Sequence, residues 1–379
     1  MIRWREGRVV RLRSSWDGAV ELEVQLTPDG DGGAGPTCRA LAYAGLVGGP
    51  VPGDRVLLNT QALERGLGTG GYAFVVALPD RLPEPPADLD GEGLSGPDRP
   101  GHLVKARYTP LQTMVLGVDE QDSPDHDALR DADDLHGLPV VVADLHSAVP
   151  AIVAGIRAER PGARVAYVMT DGGALPAWFS RTVAGLRAAG WITACITAGQ
   201  AFGGDVEAVS VHSALLAARH VLDVDVAVVA QGPGNLGTGT RWGFSGVAAG
   251  EAVNAAGVLR GRPIASLRVS GADRRERHRG VSHHCLTAYG RVALMPAEIP
   301  VPRLGAVPGL DELGRQVAEQ AATLAAPSGR HALVDVDVTG LLESLSSSPV
   351  TLSTMGRSLD DDPAAFLAAA AAGRHAARA

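Results

Sequence analysis

The stretch PVVVADLHSAVPAIVAGIRAERPGARVAYVMTDGG (139–173) decides the fold. Residues 139–143 and 164–169 are short, continuous apolar runs, and 147–159 between them has the Ala/Ile/Val/Arg texture of a helix. Two strands that are apolar on both faces, joined by a helix, make a βαβ unit and so imply a parallel sheet covered on both sides. Downstream the texture recurs: 191–196, 224–230, 263–269, 291–295 and 332–338 read as further strands, and 176–189, 207–222, 243–260 and 308–326 as helices. The expected architecture is α/β, a doubly wound, mostly parallel sheet in a domain spanning 101–379. Ligands of such sheets bind beyond the carboxyl ends of the strands.

Upstream the pattern is different. Val20, Leu22, Val24 and Leu26 alternate with Glu21, Glu23 and Gln25, the mark of a half-buried strand, and 8–13, 38–43, 55–58 and 73–78 are further short strands between Gly/Pro/Asp turns. Five such strands suggest a small β-barrel domain over 1–80. Residues 81–100 read as a Pro/Gly-rich linker. At the other end, 351–353 reads as a last strand, Asp362 as an N-cap and Pro363 as the first residue of a terminal helix that stops at Gly373.

With 379 residues, 45% apolar and 20% charged, the chain can bury a large core. A net charge of −8 argues against a protein that coats nucleic acid, and no nucleic-acid partner is expected. Cys38, Cys195 and Cys285 are odd in number and widely spaced, so neither a disulfide framework nor a thiolate zinc cage is indicated. No uncharged run of membrane-spanning length occurs, and the expectation is a soluble, cytoplasmic protein without a membrane partner. Of 34 basic residues, one, Lys105, is lysine. It sits in GHLVKARYTPLQ (101–112) beside His102 and Arg107, where an ammonium could serve as a tunable acid or a phosphate point charge; chance survival in an arginine-rich composition is the alternative.

Five successive strand-end loops carry nearly all the unusual polar and glycine residues. In GPGNLGTGT (232–240), Gly232, Gly234, Asn235, Gly237 and Thr238 suggest an anion nest leading into a helix, against the plainer reading of a close-packed turn. Arg274 and Arg277, with His278, form a cationic island suited to bidentate binding of phosphate or carboxylate; a solvated face paired to Asp273 and Glu276 is the alternative. Asp144 and His146, two apart at a strand end, can lean the same way as an acid/base pair or metal ligands. His278, His283 and His284 could add ligands, although adjacent His283 and His284 would diverge in an extended segment, leaving at most one to join Asp144 without a turn. A divalent metal is therefore one option for a cofactor, with capping and hydrogen-bonded roles as the other. No nucleophile elbow supports a Ser-His-Asp hydrolase.

The strings GLGTGGYAFV (66–75), GHLVKARYTPLQ (101–112), TAGQAFGGDVEAV (197–209), GPGNLGTGT (232–240), RHRGVSHH (277–284) and STMGR (353–357) together resemble an uncharacterised bacterial family, domain-of-unknown-function family 3866. The resemblance brings no activity with it. It implies that barrel and α/β part belong to one protein, and it draws attention to Thr354, Gly356 and Arg357. The residues themselves suggest an enzyme, a hydrolase or group transferase, acting on a phosphorylated or nucleotide-like small molecule. Lys105, Asp144, His146 and His278 would be the catalytic candidates, and the glycine loop, Arg274, Arg277 and His283 would hold the anionic ligand. The alternative is a metabolite-binding regulatory protein whose barrel meets a partner or self-associates into a homo-oligomer.

Overall fold

A computed structural model describes residues 1–28, 33, 35–68, 70–83, 101–326 and 329–378. Positions 84–100 of the expected linker lie outside the described residues. The chain divides into two compact units, Met1–Val115 and Leu116–Ala379; the boundary read from sequence lies at 100/101.

In the first unit β1 (Trp4–Trp16), β2 (Ala19–Leu26), β3 (Thr37–Tyr43), β4 (Arg55–Asn59) and β5 (Ala73–Ala77) close a barrel in the order β1-β2-β3-β5-β4. Short helices α1 (Ala44–Val47) and α2 (Gln61–Glu64) link the last three strands. The alternation in β2 works as expected for Leu22, Val24 and Leu26, which join Val9, Ala40, Val56 and Leu58 in the barrel core. Glu21 is buried as well, because Arg13 and Arg39 neutralise its carboxylate. A separate hairpin, β6 (Leu103–Lys105) with β7 (Thr113–Val115), completes this unit.

Lys105 ends β6 opposite Thr113 and is 1% exposed. That burial offers a physical reason for a lone lysine: a slim ammonium stem fits where a planar guanidinium would overfill.

The second unit opens with a short helix α3 (His126–Leu129) and is built on eight parallel strands. They are β8 (Pro139–Val142), β9 (Val165–Thr170), β10 (Ala194–Ala198), β11 (Val206–Ala208), β12 (Val226–Gln231), β13 (Arg262–Ala265), β16 (Glu298–Pro302) and β17 (Ala332–Val336); β14 (Val269–Ser270) and β15 (Gly280–Val281) form a small hairpin after β13. The order is β11-β10-β9-β12-β8-β13-β16-β17. Helices α4 (Val149–Glu159) and α5 (Arg181–Ala188) carry the chain one way along the sheet, from β8 to β9 and from β9 to β10. Helices α6 (Val211–His220) and α7 (Ala248–Val258) carry it the other way, to β12 and β13. With right-handed crossovers the two pairs cover opposite faces, so neighbours β8 and β13 send their chains apart and leave a crevice at their carboxyl ends.

Two strand readings are corrected. Residues 291–295 are not a strand: helix α8 (His283–Thr287) runs on into a π-helical turn over Ala288–Val292. The strand is β16, EIPVP, whose two prolines argue against a sheet interior. Its register resolves the conflict. Arg303 N donates to Val336 O, so Ile299 and Val301 face β17 with their N–H groups, while Pro300 and Pro302 face β13, whose ladder with β16 ends at the Ile264–Glu298 pair. Similarly, 351–353 does not extend the main sheet; β18 (Ser353–Thr354) and β19 (Arg357–Ser358) form a two-stranded hairpin.

Beyond α9 (Asp311–Ala325) and α10 (Leu341–Ser346), the terminal helix α11 (Pro363–Ala377) packs on α4 and passes through Gly373 without stopping. Glycine serves here as a contact surface. A Cβ on Gly373 would lie 1.9 Å from Ile152 O, and one on Gly155 would lie 1.9 Å from Ala370 O, so the two helix backbones touch. Gly373→Ala, despite its better helix propensity, is expected to cost about 1–3 kcal/mol by forcing the helices apart. Urea unfolding should show a lower midpoint at an unchanged slope; an equally stable variant would mean that the helices can separate freely. Among the described residues no helix is long and apolar enough to cross a membrane.

Candidate functional site

Where β8 ends, the chain places Asp144 at the crevice, 3% exposed. Its carboxylate meets Arg268 Nη1 at 3.4 Å and His284 Nδ1 at 3.6 Å, and Arg268 also stands 3.2 Å from that imidazole nitrogen. Burial pushes the Asp144 carboxyl up, but the His284 hydrogen bond and the Arg268 charge outweigh it and hold the group below the usual carboxylate range. Gln231, the last residue of β12, donates to the Asp144 carbonyl at 2.7 Å and to Asn235 Oδ1 at 2.9 Å. Asn235 also accepts from Ser245 Oγ at 3.0 Å, which ties the ends of β8 and β12 together.

His146 does not pair with Asp144. The strand stops at Val142 and the chain winds into a 3₁₀ turn from His146, so the two side chains part. Tyr167 Oη donates to Gln231 O at 3.0 Å and accepts from His146 Nδ1 at 3.0 Å; His146 Nε2 accepts from Ser180 Oγ at 2.8 Å. Both ring nitrogens are thus used by the scaffold, and burial lowers the pKa to about 4, which keeps the ring neutral.

The divergence expected of an extended segment does not arise because the chain turns into a helix here, and of the two rings it is His284 that meets Asp144. Ser282 caps α8 through a bond from His284 N, and the helix brings both rings to one site with centroids 4.4 Å apart. His278, from a 3₁₀ turn between β14 and β15, has centroids at 4.9 Å from His283 and 5.0 Å from His284. Its Nδ1 bonds Ser282 Oγ at 2.8 Å. His284 stacks on Phe244 at 3.8 Å with planes 3° apart. Burial, with neighbouring arginine charges adding to it, lowers His278 to about 3; burial, then the charges of His284 and Arg277, lowers His283 to about 4.

The glycine loop is not a nest at a helix N-terminus. Gly237 bridges Phe244, Thr238 N donates to Gly243 O, and the hydroxyls of Thr238 and Thr240 lie 3.1 Å apart, so 236–244 folds back on itself before α7. Gly232 is needed for close approach, since a Cβ there would lie 2.4 Å from Ala174 O, and Gly234 for its positive φ of 91°. Gly239 abuts Arg277: a Cβ there would lie 3.9 Å from Nη2. Of the loop 232–240, Gly239 alone lines a cleft of about 570 Å³, shared with Arg241, Arg277, His283, Thr287 and Arg291. Of the cationic island, Arg277 enters this cleft, Arg275 pairs with Asp273, and Arg274 is exposed away from the cleft lining.

A narrower cleft between the ends of β8 and β13 is lined by Asp144, Arg268, Ser270, Thr354 and Arg357. Arg357 does reach the sheet edge, bonding Asp362 at 3.1 Å and Asp273 at 3.3 Å. Asp362 makes no side-chain cap for α11; its carboxylate instead accepts from Ser270 Oγ and Gly271 N.

A family model described as "protein of unknown function (DUF3866)" matches residues 39–373. The chain belongs to DUF3866. The match begins in β3 and ends in α11, so this DUF3866 chain carries the family pattern through parts of both units. No curated protein and no solved structure matches it significantly. Lys105 belongs to the first unit of the DUF3866 chain, whereas the cleft, the imidazoles and Asp144 belong to the second. Sequence reasoning passed over Arg241, Arg291 and Phe244. Arg241 directly follows the glycine loop and Arg291 sits alone in a segment read as a strand, and only the fold places them in one cleft with Arg277.

Proposed function

We propose that the protein is an enzyme, a hydrolase or group transferase, that acts on a phosphorylated or nucleotide-like small molecule at the carboxyl edge of its parallel sheet. The observation that carries this reading is the cleft of about 570 Å³ on which Arg241, Arg277 and Arg291 converge beside Gly239 and His283. Three guanidinium groups on one rim favour an oxyanion-rich ligand, and a volume of this size suits a metabolite. Neutral imidazoles and a charged Asp144–Arg268 pair next to that rim supply acid–base groups, which favours turnover over sensing. Buried thiols at Cys195 and Cys285 suit a reducing, cytoplasmic setting.

A thermal-shift panel of nucleotides, sugar phosphates and carboxylates tests the reading. A ligand at 100 times its dissociation constant should add about 2.7 kcal/mol of stability. That gain should vanish in Arg277→Ala, and a silent panel would remove the anion cleft. A ligand that stabilises the protein but is recovered unchanged after prolonged incubation would identify a sensor instead.

A further inference from the structure

We propose that His278, His283 and His284 form a three-imidazole site for a divalent transition metal of the zinc class, with the remaining coordination position turned toward the arginine-rimmed cleft. One ring nitrogen from each residue lies within 4.8 Å of the other two. Three nitrogens around a tetrahedral ion with bonds near 2.0–2.1 Å would be about 3.4 Å apart, so binding requires the rings to close by roughly an ångström. Side-chain rotation at the start of α8 and in the 276–278 turn can supply that.

Two further observations point to a ligand. His283 Nε2 is buried and has no hydrogen-bond partner, a costly arrangement for an imidazole with nothing to bind. The remaining rings carry the outer partners that metal-ligating histidines use. Ser282 Oγ holds His278 Nδ1, and Asp144 Oδ2 faces His284 Nδ1, which leaves Nε2 of each for the ion. His284 Nδ1 can accept from Arg268 in one tautomer or donate to Asp144 in the other. Ligation through Nε2 selects the second, with Arg268 kept on the carboxylate.

Charge does not forbid the site. Arg268 is paired with Asp144 and Arg275 with Asp273, so the cations that share the cleft with His283 are Arg241, Arg277 and Arg291, each exposed to solvent. An oxyanion bridging Arg277 and the metal's open position would neutralise both. Imidazole donors suit zinc, cobalt, nickel and copper better than magnesium or calcium, which sets the metal class. The π-helical turn that follows α8 directly is a feature often found at functional sites, and its Gly290 and Arg291 line the same cleft as Arg277.

The test uses the full chain, stripped with chelator and titrated with Co²⁺ and then Zn²⁺ in phosphate-free buffer. One Co²⁺ per chain is expected, with the visible absorption of a tetrahedral nitrogen-ligated ion, displaced by one equivalent of Zn²⁺. His283→Ala, at a half-buried position that can lose its ring without unfolding the protein, should weaken binding by more than about 100-fold. Asp144→Asn should weaken it about 10–100-fold through the lost orienting partner. His212→Ala, exposed on α6, should bind as the unaltered chain does. Failure of both ions to bind tighter than about 1 mM, or unaltered stoichiometric binding in His283→Ala, would overturn the proposal. Because no anionic ligand is present in the titration, its outcome is independent of the anion panel.

Discussion

Arg268→Met is expected to destabilise the protein by about 3–5 kcal/mol, because it removes the guanidinium that pairs with the buried carboxylate of Asp144. The methionine fills much of the same space, so packing loss is small and the electrostatic effect dominates. The Arg268 side chain is 12% exposed and that of Asp144 3%, so little water is at hand to replace the guanidinium. Equilibrium urea unfolding of the variant measures the loss. The pair is the cause only if removing both charges recovers most of it, so Asp144→Leu combined with Arg268→Met should be close to the unaltered protein in stability. A single variant within 1 kcal/mol of the parent would show that Asp144 protonates or rehydrates at little cost.

Arg357→Gln is the second large effect, again about 3–5 kcal/mol at neutral pH. Arg357 bridges two buried carboxylates, Asp273 at 3.3 Å and Asp362 at 3.1 Å, and thereby fastens the β18–β19 hairpin to the connection between β14 and β15 and to the start of α11. Its pH dependence has a definite sign. Asp273 is held well below the usual carboxylate range, first by its hydrogen bond with Arg275 and then, against burial, by the charges of Arg275 and Arg357. Its contribution is therefore full above the unfolded pKa of about 3.9 and is lost as pH falls toward the depressed folded value. The unfolded carboxylate titrates alike in both proteins, so the gap between Arg357→Gln and its parent should shrink only below the variant's own folded Asp273 pKa, which Arg275 still holds below the usual carboxylate range. A gap that does not shrink even where the folded protein takes up the Asp273 proton would point to packing and away from charge.

Legibility in the sequence followed the range over which each signal acts. The β8–α4–β9 unit, the crossover helices and the barrel strands declared themselves through local periodicity, because burial on one or both faces dictates residue type position by position. β16 was hidden because the register that excuses Pro300 and Pro302 depends on where a neighbouring strand stops. The histidines illustrate the same divide. RHRGVSHH announced imidazoles, but their convergence depends on Ser282 starting a helix at that point, and an extended reading sends His283 and His284 apart. His146 failed in the opposite direction: its spacing from Asp144 suited a pair, yet Tyr167 and Ser180, distant in sequence, had already claimed both nitrogens. Lys105 was conspicuous by count, and its burial in the first unit gives it a packing explanation that composition could not supply.

The contact between α4 and α11 has a bearing on how the protein is made. Gly155 leaves a groove in α4 that only the backbone around Ala370 fills, yet that backbone follows about 200 residues later in the chain, a separation that slows folding. During synthesis the early half of the sheet therefore emerges with an apolar furrow and an incomplete crevice, since Thr354 and Arg357 also arrive late. Nascent chains should stay prone to aggregation until that last segment docks. It also delays assembly of the crevice at Asp144 until synthesis is nearly finished, so a stalled or truncated product would lack the part of its lining that Thr354 and Arg357 supply.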